Sequence, residues 1–388
     1  MAMPDAAGEV AYTAKVFPRP VSFFTGWMMM LSYFIVCPWE AVAVGRIAGY
    51  IFPALDSVEL YRVAGKPVYL PHLVIGLALT ALVTVVNYRG VRISATFQNW
   101  TTFGTLALFV VFVTVGVTRG SPANFPPLFT HTSFISVLLV LQIVPYFMTG
   151  FESVTKAAEE ANPQFRAQGF SRAIFAAIVV GGLFYMIVIA AVGFVAPWRA
   201  LTGEPFMTAV AFQHAVGSRW IVSIILSAAL LSLFKVFNGN FIAASRLLFA
   251  MGRRGLVDAR LAGVHRQNRT PAAAVVSVGA ATALCMFLGS AILVPISEVG
   301  SVASATGWFA VCAAYLWMRP RFASRLIALM GALVALAMAL MKFVPLVPGS
   351  FSGWEWLVLA LWIILGTVVG RPQNSHPAVE KTDLERDS

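Results

Sequence analysis

Four ionisable residues lie inside long apolar stretches of this sequence: Glu40, Glu152, Lys235 and Glu298. A charge at the centre of a lipid bilayer costs about 2.5–3.5 kcal/mol on insertion scales, so charged residues in such places commonly mark ion or substrate pathways. The chemistry available to them is the binding of a charged group or the exchange of a proton. The alternative is that they pair with one another and only hold neighbouring helices together.

The stretch around Glu152 carries a second signal, because it also contains Pro145 and Gly150. Proline removes a backbone donor, and glycine tolerates open conformations. A helix broken here exposes backbone polar groups at membrane depth, which is tolerated only where they line a cavity, and secondary transporters build substrate sites in this way. A simple proline kink is the alternative. The residues expected to line a site at the break are Phe147, Thr149, Gly150, Phe151 and Glu152.

The elements that must position these residues follow from composition. Hydrophobic residues make up 59% of the 388 positions and charged residues 11%, whereas a soluble domain is about a quarter charged. Because a membrane-spanning helix needs about 20 mostly apolar residues, we predict an all-α integral membrane protein with about ten transmembrane helices. The ten apolar segments are 21–52, 71–88, 95–118, 133–160, 172–195, 219–252, 271–289, 292–318, 321–345 and 352–370.

The distribution of basic residues predicts the orientation of these segments. With the N-terminus inside, 19 of the 27 Lys and Arg residues fall on the cytoplasmic side, seven fall on the outer side, among them Lys342, and Lys235 lies within a span. This is the bias that the positive-inside rule requires. The net charge of +11 therefore reflects topology in the plasma (inner) membrane and not a nucleic-acid partner. We expect a cytoplasmic segment at 1–20, one transmembrane domain at 21–370 and a disordered cytoplasmic tail at 371–388.

Catalysis is not expected. The spans contain neither a nucleophile–base pair nor a cluster of metal-ligating residues, so the sequence predicts no intramembrane enzyme, no cofactor and no metal site.

Three motifs resemble the amino acid–polyamine–organocation permeases. The run Pro-Tyr-Phe-Met-Thr-Gly-Phe-Glu at 145–152, with Lys-Ala-Ala-Glu-Glu-Ala-Asn-Pro at 156–163, is similar to the sixth helix of that family. Residues 238–253 resemble its eighth helix and the following loop, and Asn-Tyr-Arg-Gly-Val-Arg at 87–92 with Gln-Asn at 98–99 resembles the junction of its fourth and fifth helices. The resemblance covers nearly the whole chain.

This resemblance implies two five-helix inverted repeats followed by two more helices, with alternating access around a central site. It implies transport of amino acids or related amines by proton-coupled symport or exchange, with a small-molecule substrate, a proton or sodium, and the lipid bilayer as partners. Residues 3–12 resemble the end of the family's second helix, so the ten spans correspond to helices three to twelve and the first helix has no counterpart. We expect either a start codon placed too late or a truncated product. The alternatives are a non-transporting remnant and a permease of another organic cation.

The resemblance also bears on coupling. Some relatives carry a lysine in the fifth helix, where this chain has Thr105, whereas Lys235 lies in the eighth-helix equivalent, which borders the same region. Burial disfavours a charged lysine, so Lys235 is the expected coupling group and Glu40 its expected counter-charge. If the two were tightly paired, Lys235 would instead be structural or a fixed substitute for sodium.

Overall fold

The computed structural model describes residues 8–90, 95–129, 132–152, 167–204, 206–217, 219–318 and 320–370. Within these ranges the chain forms fourteen α-helices, four short 3-10 helices and one β-hairpin. The α-helices are α1 (Glu9–Ala14), α2 (Arg19–Phe34), α3 (Val36–Ile51), α4 (Leu70–Arg89), α5 (Ala95–Arg119), α6 (Ser133–Met148), α7 (Ala167–Val195), α8 (Trp198–Leu201), α9 (Met207–Val216), α10 (Arg219–Arg253), α11 (Ala272–Met286), α12 (Leu293–Trp317), α13 (Phe322–Phe343) and α14 (Gly353–Val369).

Seven helical stretches in these described ranges are long and apolar enough to cross a bilayer. One combines α2 and α3, and the others are formed by α4, α5, α7, α10, α12 and α13. Three shorter apolar helices, α6, α11 and α14, account for the remaining predicted segments. The prediction of an all-α membrane protein is confirmed.

Two predicted segments differ from the structure in their bounds. Segment 21–52 consists of α2 and α3, which meet at Ile35. Pro38, in the first turn of α3, has no amide N–H to donate. The helical hydrogen bonds resume at the next residue, where Trp39 N donates to Ile35 O at 3.4 Å. Segment 133–160 begins as α6 but the helix ends at Met148; its part at 153–160 lies outside the described residues.

A β-hairpin between α3 and α4 was not predicted. Its strands, β1 (Glu59–Val63) and β2 (Lys66–Tyr69), pair antiparallel. The two turn residues, Ala64 and Gly65, have φ of 46° and 77°, as a type I′ turn requires. Tyr61 Oη donates to the backbone carbonyl of Phe287 at 2.6 Å, which ties the hairpin to the chain just after α11.

The core of the molecule is built around α2 and α3. In the span that they form, 83% of the apolar window is buried within the protein, whereas the corresponding window of α7 has no buried residue. The central helix α12 packs against α2, α6 and α13, and α3 packs against α4 and α10. This arrangement places the end of α6 between α2 and α12.

Candidate functional site

The helix α6 ends within the pattern that predicted a break. Thr149, directly after the helix, has extended geometry with ψ of 139°, and Gly150 has φ of +119°, a conformation that L side chains rarely adopt. The Thr149 hydroxyl donates to the carbonyl of Pro145 at 2.7 Å. The chain therefore leaves the helical path at Thr149 and Gly150.

Three hydroxyl groups meet at this break, two from helices and one from the residue that follows α6. The oxygen of Ser304, on α12, lies 2.6 Å from the hydroxyl oxygen of Thr149 and 2.6 Å from that of Ser32, on α2. Ser32 and Thr149 are 3.4 Å apart. Ser32 and Ser304 are almost completely buried. A hydroxyl can both donate and accept a hydrogen bond, and the single proton of Thr149 already goes to Pro145, so the oxygen of Thr149 acts as an acceptor within the cluster.

The carboxylate of Glu152 folds back onto the break. One of its oxygens accepts a hydrogen bond from the amide of Gly150 at 3.1 Å, and the hydroxyl of the fully buried Tyr33 also hydrogen-bonds to it. Glu152 is only 7% exposed. The structure therefore places a buried acidic group beside the non-helical backbone.

The two predicted aromatic residues have different surroundings. Phe147 is 43% exposed and its ring lies edge-on to those of Tyr146 and Tyr185. Phe151 packs against Trp308 of α12, with 5.5 Å between ring centroids. The buried indole N–H of Trp308 has no hydrogen-bond partner among the described residues, so a donor remains available next to Phe151.

Glu40 is buried in α3. It is 5% exposed, and the ring of the preceding residue, Trp39, lies 6.5 Å from that of Tyr146. One of the Glu40 oxygens is buried without a hydrogen-bond partner among the residues that the structure describes. Among the residues that the structure describes, no ion pair joins Glu40 to Lys235, the lysine for which it is the expected counter-charge.

Lys235 instead contacts α5. Its ammonium group donates to the hydroxyl of Thr102 at 2.6 Å, one helical turn from Thr105. The hydroxyl of Thr105 itself donates to the carbonyl of Thr101 at 2.8 Å. The side chain of Lys235, on α10, therefore reaches the part of α5 that carries Thr105. The two residues do not share a hydrogen bond.

Glu298 belongs to a different cluster. It forms an ion pair with Lys342, near the end of α13, a residue that was counted among the outer basic positions. Lys342 also donates to the carbonyl of Gly349 at 2.9 Å, and the nearby Gln142 amide donates to that of Pro348 at 2.9 Å. This is the arrangement expected of a charge that holds helices together.

Sequence reasoning missed Ser32, Ser304, Trp308 and Lys342. The serines carry no charge, and Ser304 is one of several small and polar residues at 300–307, so it is their position on helices facing the break that reveals them. Lys342 was read as an outer-side charge because it lies at the end of its segment. Its pairing with Glu298 joins residues on neighbouring spans, and a one-sequence pattern does not indicate which spans are neighbours.

The face of α12 toward the break carries very small residues. A Cβ atom on Gly300 would lie 2.7 Å from the ring of Tyr146, closer than Cβ contacts normally approach. A Cβ on Gly307 would collide with the side chain of Met29. With Ser304 between them, these residues lie at helical spacing on one face, and they let α2 and α6 approach α12 closely.

Comparison with known proteins supplies the family. The profile of the amino acid permease family matches residues 1–369. The methylthioribose transporter of Bacillus subtilis is 27% identical, with 95% of this chain and 79% of the relative aligned. The branched-chain amino acid permease BcaP of the same organism is 28% identical, covering 77% of this chain and 64% of the relative. The aromatic amino acid transport protein AroP of Salmonella typhimurium is 22% identical, covering 93% and 80%.

The family and these relatives are transporters and not enzymes. The chain spans between about two thirds and four fifths of their length. Because the family profile matches almost the entire sequence, this chain belongs to the amino acid permease family.

Proposed function

We propose that this chain is a secondary active transporter that moves an amino acid or related amine across the plasma (inner) membrane by alternating access. The observation that carries the proposal is the break after α6. There, backbone groups freed from the helix lie beside the hydroxyls of Ser32, Thr149 and Ser304. A buried set of polar groups at membrane depth is the environment in which broken-helix transporters hold their substrates.

Each group at the break has a role that suits an amino acid. The three hydroxyls and the freed backbone around Thr149, Gly150 and Phe151 contact the charged ends of the substrate, and Glu152 attracts its ammonium group. The exposed ring of Phe147 and the pair formed by Phe151 and Trp308 contact an apolar side chain. In support, Glu152 is buried and lies beside Gly150, and a buried charge is stabilised by an oppositely charged partner.

Transport is coupled to a proton in this proposal, by symport or exchange. Lys235 is the coupling group, because a lysine within a span can lose its proton on burial. Its hydrogen bond to Thr102 places it one turn from Thr105, on the helix where some relatives carry their lysine. Glu40 is a second proton-carrying group, since it is an acidic side chain buried within the span formed by α2 and α3. Both chain termini face the cytoplasm.

The test is uptake of radiolabelled substrates into proteoliposomes with and without a pH gradient. The 388-residue chain is compared with a version extended by any upstream coding sequence in frame. The substrate panel contains branched-chain and aromatic amino acids, amines and methylthioribose, because the relatives named above carry such substrates. The Thr149→Val variant, which loses a cluster hydroxyl but keeps the side-chain shape, reports whether uptake depends on the break.

We expect amino-acid uptake that is accelerated by the pH gradient and reduced at least about tenfold by Thr149→Val, since a hydrogen bond to a charged group contributes about 1.5–3 kcal/mol. If the chain took up methylthioribose but no amino acid, the substrate would be an uncharged polyol. Glu152 would then have no ammonium group to attract. No uptake of any substrate by either version would favour a non-transporting protein.

A further inference from the structure

A cavity of about 370 Å³ lies where α3 ends and α4 begins, beside the β-hairpin. Arg46 in its wall is fourteen residues along the same span from Ser32, which corresponds to about 20 Å of helix. The cavity is therefore separate from the break after α6. Its volume falls in the range of about 300–1,000 Å³ that small-molecule sites commonly have.

The free charges of this cavity are positive. Arg46 lines it with its guanidinium group 5.8 Å from the centre of the Phe206 ring. Among the described residues, Arg46 has neither a hydrogen bond nor an ion pair. Lys66, at the start of β2, lines the same cavity and likewise has no acidic partner in the described part of the chain.

The single acid in the lining is already engaged. Asp56 lies 2.9 Å from the Nε2 atom of His72. This pair packs over Gly49, where a Cβ atom would lie 2.6 Å from the Asp56 carboxylate, so only glycine leaves room for it. Asp56 thus lies against His72, and no ion pair joins it to Arg46 among the described residues. An arginine left without an acceptor in a concave, partly desolvated wall is suited to a carboxylate, which it can bind through two hydrogen bonds.

Aromatic rings supply the rest of the wall. Tyr50 and Phe206 are in edge-to-face contact with 5.0 Å between centroids, and both line the cavity. Their faces offer an apolar surface next to the guanidinium. The ligand that fits is small, with one carboxylate and an apolar body. The hairpin that carries Lys66 lies beyond the helix ends, on the water side, which favours a soluble ligand over a lipid headgroup.

We propose that this cavity is a binding site for a small soluble carboxylate, with Arg46 as the main anchor, Lys66 as the second cation and the rings of Tyr50 and Phe206 as the apolar wall. The site does not depend on transport through the break after α6.

The test uses the purified full chain in detergent and N-acetyl-L-leucine as the probe, which has a carboxylate but no ammonium group. Phenylglyoxal modifies accessible arginines, and mass spectrometry follows each arginine separately. At saturating probe, modification of Arg46 should slow about tenfold. Arg62 lies on the hairpin that also carries Lys66, but it is paired with Glu59 at 2.7 Å and lies outside the cavity. The rate of its modification should not change. L-leucine amide, which lacks the carboxylate, should not protect Arg46.

Matched variants test the assignment by equilibrium binding of the same probe. Arg46→Gln and Lys66→Gln should each weaken binding about tenfold or more, whereas Arg62→Gln should leave it unchanged. Lys66 is exposed on the hairpin, so its variant remains informative if Arg46→Gln does not fold. Thr149→Val should bind the probe normally, which separates this cavity from the proposed transport site.

Three outcomes would overturn the proposal. The first is unchanged reactivity of Arg46 at high probe concentration. The second is protection by phosphatidylglycerol but not by the soluble carboxylate, which would make the cavity a lipid site. The third is loss of protection in Thr149→Val, which would place the probe at the break.

Discussion

Lys342 of α13 and Glu298 of α12 form an ion pair in which the two side chains are unequally buried. The lysine is 2% exposed and the glutamate 22%. If the lysine is removed, the Glu298 carboxylate remains partly exposed at the surface of the protein. If the glutamate is removed, the ammonium group is left buried with only the carbonyl of Gly349 near it. The pair is therefore more sensitive to loss of the acid than to loss of the base.

Glu298→Gln should lower the free energy of unfolding by about 3 kcal/mol, because breaking a buried ion pair leaves an uncompensated charge. Lys342→Met, which has a similar volume, should cost less than about 2 kcal/mol, and the double variant should be more stable than Glu298→Gln alone. Unfolding of each variant in detergent, followed by circular dichroism, measures these differences. If both single variants lost the same free energy of unfolding, the difference in exposure between the two side chains would have no effect on stability.

Gly150→Ala should destabilise the break after α6 by about 1–3 kcal/mol. No atom lies within 4 Å of the position that a Cβ would occupy, so the cost arises from the φ of +119° and not from a collision. Uptake should fall as well, since the backbone around Gly150 is part of the proposed substrate site. The matched control is Gly182→Ala in α7, which also has free space but helical geometry, and should stabilise the helix by about 0.5–1 kcal/mol. A Gly150 variant as stable and active as that control would contradict the strained break.

Ser304→Ala should raise the KM of uptake about tenfold while lowering the free energy of unfolding by about 1 kcal/mol. Its hydroxyl joins Ser32 and Thr149 at 2.6 Å each, and without it the remaining two oxygens are 3.4 Å apart. Thr306→Val is the control on the same helix, because its hydroxyl donates only within α12, to the carbonyl of Val302. If the two variants had the same uptake kinetics, the hydroxyl cluster would have a structural role only.

Lys235→Met should abolish the dependence of uptake on the pH gradient while membrane insertion stays normal. Methionine fills a similar volume without a titratable group, and insertion is measured by the amount of folded protein in purified membranes. Thr102→Val, which removes the hydroxyl that Lys235 contacts, should shift the pH dependence without abolishing it. Normal gradient-driven uptake by Lys235→Met would exclude the lysine as the coupling group.

The helices and the break could be predicted from the sequence because both depend on local properties. Apolar length determines the spans, and proline and glycine determine where a helix ends. The β-hairpin could not be predicted in this way. Its strands are short and mostly exposed, so they carry little alternation of polar and apolar residues, and its only strong signal is the Ala-Gly turn between Val63 and Lys66.

The partners of the charged residues were harder to predict than the charges themselves. Placing Glu40 beside Lys235 assumed a contact between two helices that do pack together, α3 and α10, but helix packing does not specify which residues on each face meet. The structure leaves one oxygen of Glu40 without a hydrogen-bond partner among the described residues, and Lys235 donates to Thr102. The serines of the hydroxyl cluster carried little signal, because serine is common at helix interfaces in membranes. The run Gly-Ser-Val-Ala-Ser-Ala-Thr-Gly at 300–307, which contains Ser304, indicated only a closely packed helix face.

The small residues on the α12 face limit which substitutions this protein can accept during evolution. Gly300 and Gly307 have no side chain left to shorten, and Ser304 can lose only its hydroxyl. A lineage that adapts to a larger substrate therefore gains no space at these three positions. We expect such adaptation to act on the aromatic residues of the proposed site, Phe147, Phe151 and Trp308, where replacing a ring with a smaller side chain enlarges the site without moving a helix.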